Sequence, residues 1–143
     1  MEFAPNYKLK RPGSSGSSLE GQTSMLVGEL MNAATSFHKL HLKVTGLGSF
    51  ASHKALNELY DALPGHADAL AEGFQGAAEK LLNYEDSAPR ILNSVEEALS
   101  YIRELYQQTT SLQAVMPYSE IVNDLDMIKS TMNSIKYKLL FLK

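Results

Sequence analysis

The stretch HLKVTGLGSFASH (41–53) decides how the chain is read. It holds two histidines twelve positions apart, on either side of a turn marked by Gly46 and Gly48. Upstream, Val27, Leu30, Ala34, Phe37, His41 and Val44 follow alternating steps of three and four. That spacing gathers side chains on one face of an α-helix. Downstream, His53, Leu56, Tyr60, Leu63, Ala67, Leu70, Phe74 and Leu81 obey the same rule. Glycine ends a helix at little cost. The stretch therefore reads as a corner between two helices, with both histidines on the apolar seams.

Two more seams follow. Ser94 with Glu97 predicts a capping box, and after it come Val95, Ala98, Ile102, Leu105, Thr109, Leu112 and Met116. Pro117 closes that helix, and Ser119 is the expected cap of the next, whose seam is Ile121, Leu125, Ile128, Met132, Ile135, Leu139 and Leu142. The run NYEDSAPR (83–90) is a break between the second and third helices. Pro64-Gly65 falls inside the second seam and predicts a kink there, or two collinear pieces. Four long amphipathic helices over residues 19–143 predict an all-α four-helix bundle. Residues 1–18, with Pro5, Pro12 and the run GSSGSS (13–18), read as a flexible arm, either natural or an added linker.

Composition narrows the classes. At 143 residues the chain is one domain, and 44% hydrophobic with 20% charged residues is ordinary for a soluble globular protein. A net charge of −3 gives no global reason to bind nucleic acid. With no cysteine, disulfides and thiolate metal sites are excluded, and His, Asp and Glu remain as ligands. No apolar run approaches the roughly 20 residues that span a bilayer. The N-terminus MEFAPNYKLKRPGSSG lacks the apolar core of a signal peptide. The expected localisation is cytoplasmic.

A single seam histidine is most simply a core residue satisfied by one hydrogen bond. Two at the facing ends of consecutive helices point instead to a metal half-site, neutral imidazole being a common ligand. Asp68 and Glu72 are an i, i+4 pair that projects from one face. On a helical wheel they lie about 60° and 100° round from His53. A solvated face is the alternative for both. Fifteen residues of helix separate His53 from Asp68, about 22 Å, whereas metal–ligand bonds are about 2 Å. One chain cannot close such a site. A second copy, antiparallel across a two-fold axis near Tyr60, would make two equivalent N2O2 sites from His41 and His53 of one subunit and Asp68 and Glu72 of the other. The Glu-x-x-His signature of intrachain di-iron bundles is absent.

These residues resemble those of the Dps-type mini-ferritins. There, a histidine near the end of the first helix is followed twelve residues later by a second, then after fifteen by an aspartate and after four by a glutamate in an Ala-Glu context. Here they are His41, His53, Asp68 and Glu72, the last within LAEG (70–73), and the likeness is best over residues 37–76. The block HKALNELYDALPGHADALAEGFQG (53–76) is also similar to a small ferritin-like family common in phage genomes. The resemblance implies a ferritin-like antiparallel four-helix bundle with a long crossover between the second and third helices. It also implies Fe(II) oxidation by peroxide or oxygen at a site shared by two-fold-related subunits, with iron storage or detoxification. The ligands would be His41, His53, Asp68 and Glu72, with Asn57 where the family usually has an acid, and iron is the implied cofactor. The implied assembly is a homo-oligomer, a dodecamer built from two-fold dimers, in a cytoplasm or, if phage-encoded, a virion.

The chain departs from that pattern at three places. Asn57 offers an amide, a weaker iron ligand than a carboxylate. Leu42 replaces the usual tryptophan, leaving Tyr60 as a substitute sink for oxidising equivalents. Pro64-Gly65 falls near the two-fold. These leave open a catalytically inactive ferritin-fold structural or interaction protein. Glu58, Asp61, Glu85 and Asp86 are candidate iron-entry surfaces or plain solvated surface, and His38 and His66 are outer partners at most. Lys8, Lys10 and Arg11 on the arm would grip phosphates weakly, strengthened by avidity in an oligomer. A DNA compactor is thus a third expectation, resting on the arm alone. Lys136, Lys138 and Lys143 suit a helix C-terminus.

Overall fold

The structure, a computed structural model, describes residues 18–143. Residues 1–17 of the expected arm, with Lys8, Lys10 and Arg11, lie outside the described residues, and its last residue, Ser18, belongs to the start of α1. Four helices follow: α1 (Leu19–His41), α2 (Ser49–Ala78), α3 (Val95–Val115) and α4 (Ser119–Phe141). Among the described residues there is no strand, and no helix is long and apolar enough to cross a membrane.

Helix starts follow local chemistry. The Ser18 side chain accepts from the Gly21 amide at 3.0 Å and caps α1. Ser94 caps α3, its Oγ accepting from the Glu97 amide at 3.1 Å. The return bond of the expected box differs by one residue: the Glu97 carboxylate accepts from the Asn93 amide at 2.8 Å. Ser119 is not a cap. Tyr118 occupies that position without a side-chain bond, and Ser119 is the first helical residue of α4.

The seams make the core. α1 packs on α2 and α3, and α4 packs on the same two, closing a four-helix bundle. Leu30, Phe37, Leu56, Leu63, Ile102, Leu125 and Met132 are among the side chains sealed inside it. Two buried threonines stay satisfied within their own helices, Thr23 donating to Leu19 O and Thr109 to Leu105 O. Two expected seam residues fall outside. Leu81 is 83% exposed because α2 stops at Ala78, with Glu79 turning left-handed at φ 55°, and Leu82 is buried in its stead. Leu142 is exposed beyond the end of α4.

α2 runs unbroken through Pro64, where a kink or a split was expected. Pro64 is exposed, so water can solvate the carbonyl that loses its partner one turn earlier. Two glycines of α2 differ in their surroundings. A Cβ on Gly73 would lie 2.8 Å from Ile121 Cδ1, so this glycine lets the start of α4 settle on α2. A Cβ on Gly65 would meet nothing within 4 Å.

Residues 79–94 carry no helix and are tied to α1 at successive points. Lys80 pairs with Glu20 at 3.3 Å. Asn32 donates to Ser87 Oγ at 2.6 Å and Ser36 to Arg90 O at 2.8 Å. Lys43 donates to Asn93 Oδ1 at 3.0 Å. Near the end of this connector, the Arg90 guanidinium lies 4.0 Å over the ring of buried Tyr101 and pairs with Glu104 at 2.7 Å. The Tyr101 hydroxyl donates to Glu29. Burial, with the hydrogen bond to Glu29, pushes the Tyr101 phenol far above its usual range.

Glycine in a helix interior costs about 0.5–1 kcal/mol relative to alanine. Gly65→Ala is therefore expected to stabilise the chain by about that amount, and Gly73→Ala, which must displace Ile121, to yield none of the gain. Urea midpoints of the two variants check this.

Candidate functional site

An α-helix leaves its last four carbonyls without intrahelical partners. At the end of α1 these belong to His38, Lys39, Leu40 and His41, and each finds a donor. Lys39 O takes the Leu42 amide at 3.2 Å and Leu40 O the Lys43 amide at 2.8 Å. The other two are met by imidazoles: His41 Nδ1 lies 3.0 Å from His38 O, and His53 Nδ1 lies 2.9 Å from His41 O. Gly46 and Gly48, at φ 93° and 81°, turn the chain tightly enough for the first turns of α2 to reach back.

This geometry determines the tautomers. A carbonyl oxygen can only accept, so in each neutral ring Nδ1 carries the proton and Nε2 keeps its lone pair. The same carbonyl bond on the far nitrogen orients many metal-ligating histidines. The His41 and His53 rings stack with centroids 4.0 Å apart, 21° from parallel. Stacked so nearly parallel, the rings direct their in-plane lone pairs side by side, and for both to meet one ion a ring would have to turn. His41 is 8% exposed and His53 half-buried. Tyr60, half-buried, meets His41 edge-on at 5.0 Å and stacks at 3.8 Å on exposed His38.

The carboxylates lie elsewhere. Asp68 and Glu72 are exposed on α2 and bond to no other described side chain. Asn57, one turn after His53, donates to Asp61 Oδ2 at 3.0 Å, and its own oxygen accepts from no other described residue. Among the described residues no group of three or more His, Cys, Asp or Glu is gathered closely enough to hold a metal ion. The chain thus unites His41 with His53, while Asp68 and Glu72 stay about 22 and 28 Å from His53 along α2.

The remaining candidates have ordinary partners. Glu58 pairs with Lys138, and Glu85 and Asp86 are exposed on the connector. His66 Nε2 lies 2.9 Å from Thr131 Oγ1. Burial holds the His66 imidazole below its usual value, with Asp124 acting against that shift. Lys136 lies 5.6 Å over the Tyr106 ring. The Glu29–Tyr101–Arg90–Glu104 group escaped the sequence reading because its members come from three separate segments and follow no motif. The His38–Tyr60 stack had a signal: His38 is one turn before His41, and Tyr60 lies on the seam of His53.

The chain belongs to a family of unknown function (DUF5856), whose model matches residues 41–139. No curated protein and no solved structure matches it. The matched span begins at His41 and takes in His53, Asn57, Asp68 and Glu72.

Two outcomes are expected. His53→Ala removes the donor to His41 O and should cost about 1 kcal/mol, whereas Asp68→Ala and Glu72→Ala, on exposed and unpaired positions, should stay within about 0.5 kcal/mol; denaturant titration separates them. Below the ordinary histidine value of 6.5, the unfolded chain takes up a proton that folded His66 resists. Stability should therefore fall as pH drops through that point, until the folded ring itself titrates. His66→Gln should flatten the slope of melting temperature against pH in this window.

Proposed function

We propose that the chain is a ferritin-like iron-binding protein that oxidises Fe(II) at a site completed by a second copy of itself. One observation carries this reading: two imidazoles at adjoining helix ends, each with Nδ1 committed to a carbonyl and Nε2 without a partner among the described residues. Asp68 and Glu72, exposed and without partners among the described residues, supply the anionic half from a two-fold-related subunit. The contacts of the connector support the ferritin-like topology. As the chain advances from Lys80 to Asn93, its partners advance from Glu20 along α1 to Lys43 just past its end. That order fits a crossover traversing the bundle, with antiparallel neighbours.

The chemistry follows from the donors. Two neutral imidazoles and two carboxylates suit Fe(II) and leave coordination positions open for an oxidant. With hydrogen peroxide, two Fe(II) ions each give one electron; two protons are taken up and two waters form. The ferric product carries more charge and hydrolyses, which favours its storage as mineral inside an oligomeric shell. Asn57, neutral and tied to Asp61, would contribute an outer contact.

Fe(II) oxidation by stoichiometric peroxide, followed by ferric absorbance, tests this. The wild type should oxidise rapidly, and His53→Ala and Glu72→Ala should each fall to the buffer rate. Co-refolding the two variants should restore about a quarter of the sites: half of randomly paired dimers are mixed, and each mixed dimer has one intact site. A wild type no faster than buffer would leave an inactive bundle serving a structural or interaction role.

A further inference from the structure

Lysines are unevenly placed along this chain. Residues 38–54 and 136–143 hold Lys39, Lys43, Lys54, Lys136, Lys138 and Lys143 and no Asp or Glu, although the chain as a whole is at −3. The fold brings the two segments together at one end of the bundle. The first is the corner from α1 into α2, and the second is the end of α4. A Cβ on Gly48 would lie 3.3 Å from the Lys143 Cβ, and Lys138 pairs with Glu58 of α2. Glu96 and Glu97 reach the same end from the first turn of α3, beside the contact of Lys43 with Asn93. The six lysines outnumber these two carboxylates and Glu58 together. Lys39, Lys43, Lys54 and Lys143 are exposed.

This end is also apolar where it is most prominent. Leu42, Leu47, Phe50 and Phe141 are each more than two-thirds exposed, Leu47 completely so. Burial in the fold accounts for none of them. Lys54 Nζ lies 5.9 Å over the Phe50 ring, so cation and apolar surface are interleaved. Large apolar side chains standing clear of the surface among charges mark a binding site. Shape and chemistry choose the occupant. Residues that line a groove for a partner helix are shielded by its walls, whereas these protrude. Bases stack on aromatic rings, but leucines have no counterpart on a phosphate backbone. A second copy of the same end would set lysine against lysine. Hydrocarbon beneath anionic headgroups takes both kinds of side chain, Leu and Phe at the acyl boundary and the ammonium groups at the headgroups.

We infer that this end of the bundle docks on anionic phospholipid membranes. Leu47 leads, held out between the left-handed Gly46 and Gly48. Leu42, Phe50 and Phe141 follow it in, and the lysines lie against lipid phosphates and carboxylates. The attachment is peripheral, because no helix among the described residues is long and apolar enough to cross a membrane. Contact through one end keeps the acidic remainder of the chain away from the negative surface. His41, His53, Asp68 and Glu72 take no part, so docking and Fe(II) oxidation are independent proposals.

Co-sedimentation of the full chain with vesicles tests it, using phosphatidylcholine alone and equal parts phosphatidylcholine and phosphatidylserine at physiological ionic strength. The chain should pellet with the mixed vesicles and stay in solution with phosphatidylcholine. Lys54→Gln with Lys143→Gln should weaken binding roughly 25-fold, about fivefold for each lysine at the surface. Leu47→Ser with Phe141→Ser should weaken it roughly tenfold or more. All four positions are exposed, and unchanged urea midpoints verify that the variants fold. The chain has no tryptophan, so Leu47→Trp places a single indole at the tip. Its emission should shift to the blue on mixed vesicles and be quenched by brominated acyl chains. No pelleting with the mixed vesicles would overturn the inference. Binding retained by both double variants would belong to Lys8, Lys10 and Arg11, and would overturn it too. So would binding that needs the lysines but not Leu47 and Phe141 and that duplex DNA displaces, the mark of a general polyanion site. An end-to-end oligomer of the free chain, dissolved by Leu47→Ser with Phe141→Ser, would show that a second copy covers this end instead.

Discussion

The end of α1 is the constraint on which the rest depends. Four carbonyls emerge there with no helical partner, and leaving any of them buried and unmet would cost about 1–3 kcal/mol. The chain meets two with the amides of its own turn and two with imidazoles, one from the same helix and one from the next. The bond from His53 to His41 O holds the start of α2 against the end of α1. Leu56, Leu59 and Leu63 of α2 are buried in one core with Leu30, Phe37 and Leu40 of α1. The left-handed glycines Gly46 and Gly48 make the approach sterically cheap. Gly48 also lets the C-terminal residue Lys143 close over the corner: a Cβ there would lie 3.3 Å from the Lys143 Cβ.

The connector solves a different problem, that of bringing α3 back against α1 without a helix to carry the chain. Its exposed ties, such as Lys80 with Glu20, each contribute little in water. The anchor is the buried phenol of Tyr101, which donates to Glu29 and is covered by the Arg90 guanidinium. Arg90 is itself held by Glu104 and, at 3.8 Å, by Glu29. Phe37 packs on the same ring at 5.3 Å. A charged group tied to two acids and laid on an aromatic face is an orientation-specific clasp. It attaches connector, α1 and α3 to one another near the core.

Helical periodicity made the fold legible. Of the fourth seam, Ile121, Leu125, Ile128, Met132, Ile135 and Leu139 are all buried, because a 3.6-residue repeat is a direct projection of the bundle interior onto the chain. Ends were less legible. Leu81 and Leu142 continue their patterns past the point where backbone hydrogen bonding stops, and a period says nothing about that stop. Ser119 has the right side chain for a cap, yet the chain leaving Pro117 enters the helix one residue earlier. Pro64 was legible as a breaker by local rule but is tolerated because it faces water. At the candidate site, spacing located His41 and His53 on facing helix ends. It could not reveal which ring nitrogen each would spend on a carbonyl, since that depends on the distance across the turn.

That last point separates two roles often treated as rivals. Both histidines have a structural duty, because each caps a carbonyl at the end of α1, and that alone accounts for their burial. The duty uses Nδ1. Ligation would use Nε2, and the first use favours the second, since a proton fixed on Nδ1 leaves the lone pair on the other nitrogen. A core histidine and a ligand histidine are therefore the same residue acting through different atoms. The structural duty does not account for the rest of the constellation. Asp68 and Glu72 share no bond with the corner and lie on the exposed face of α2, where water alone can solvate them. In the proposed dimer, an antiparallel second copy would give those carboxylates a counterpart in imidazoles whose Nδ1 atoms the helix end has already engaged.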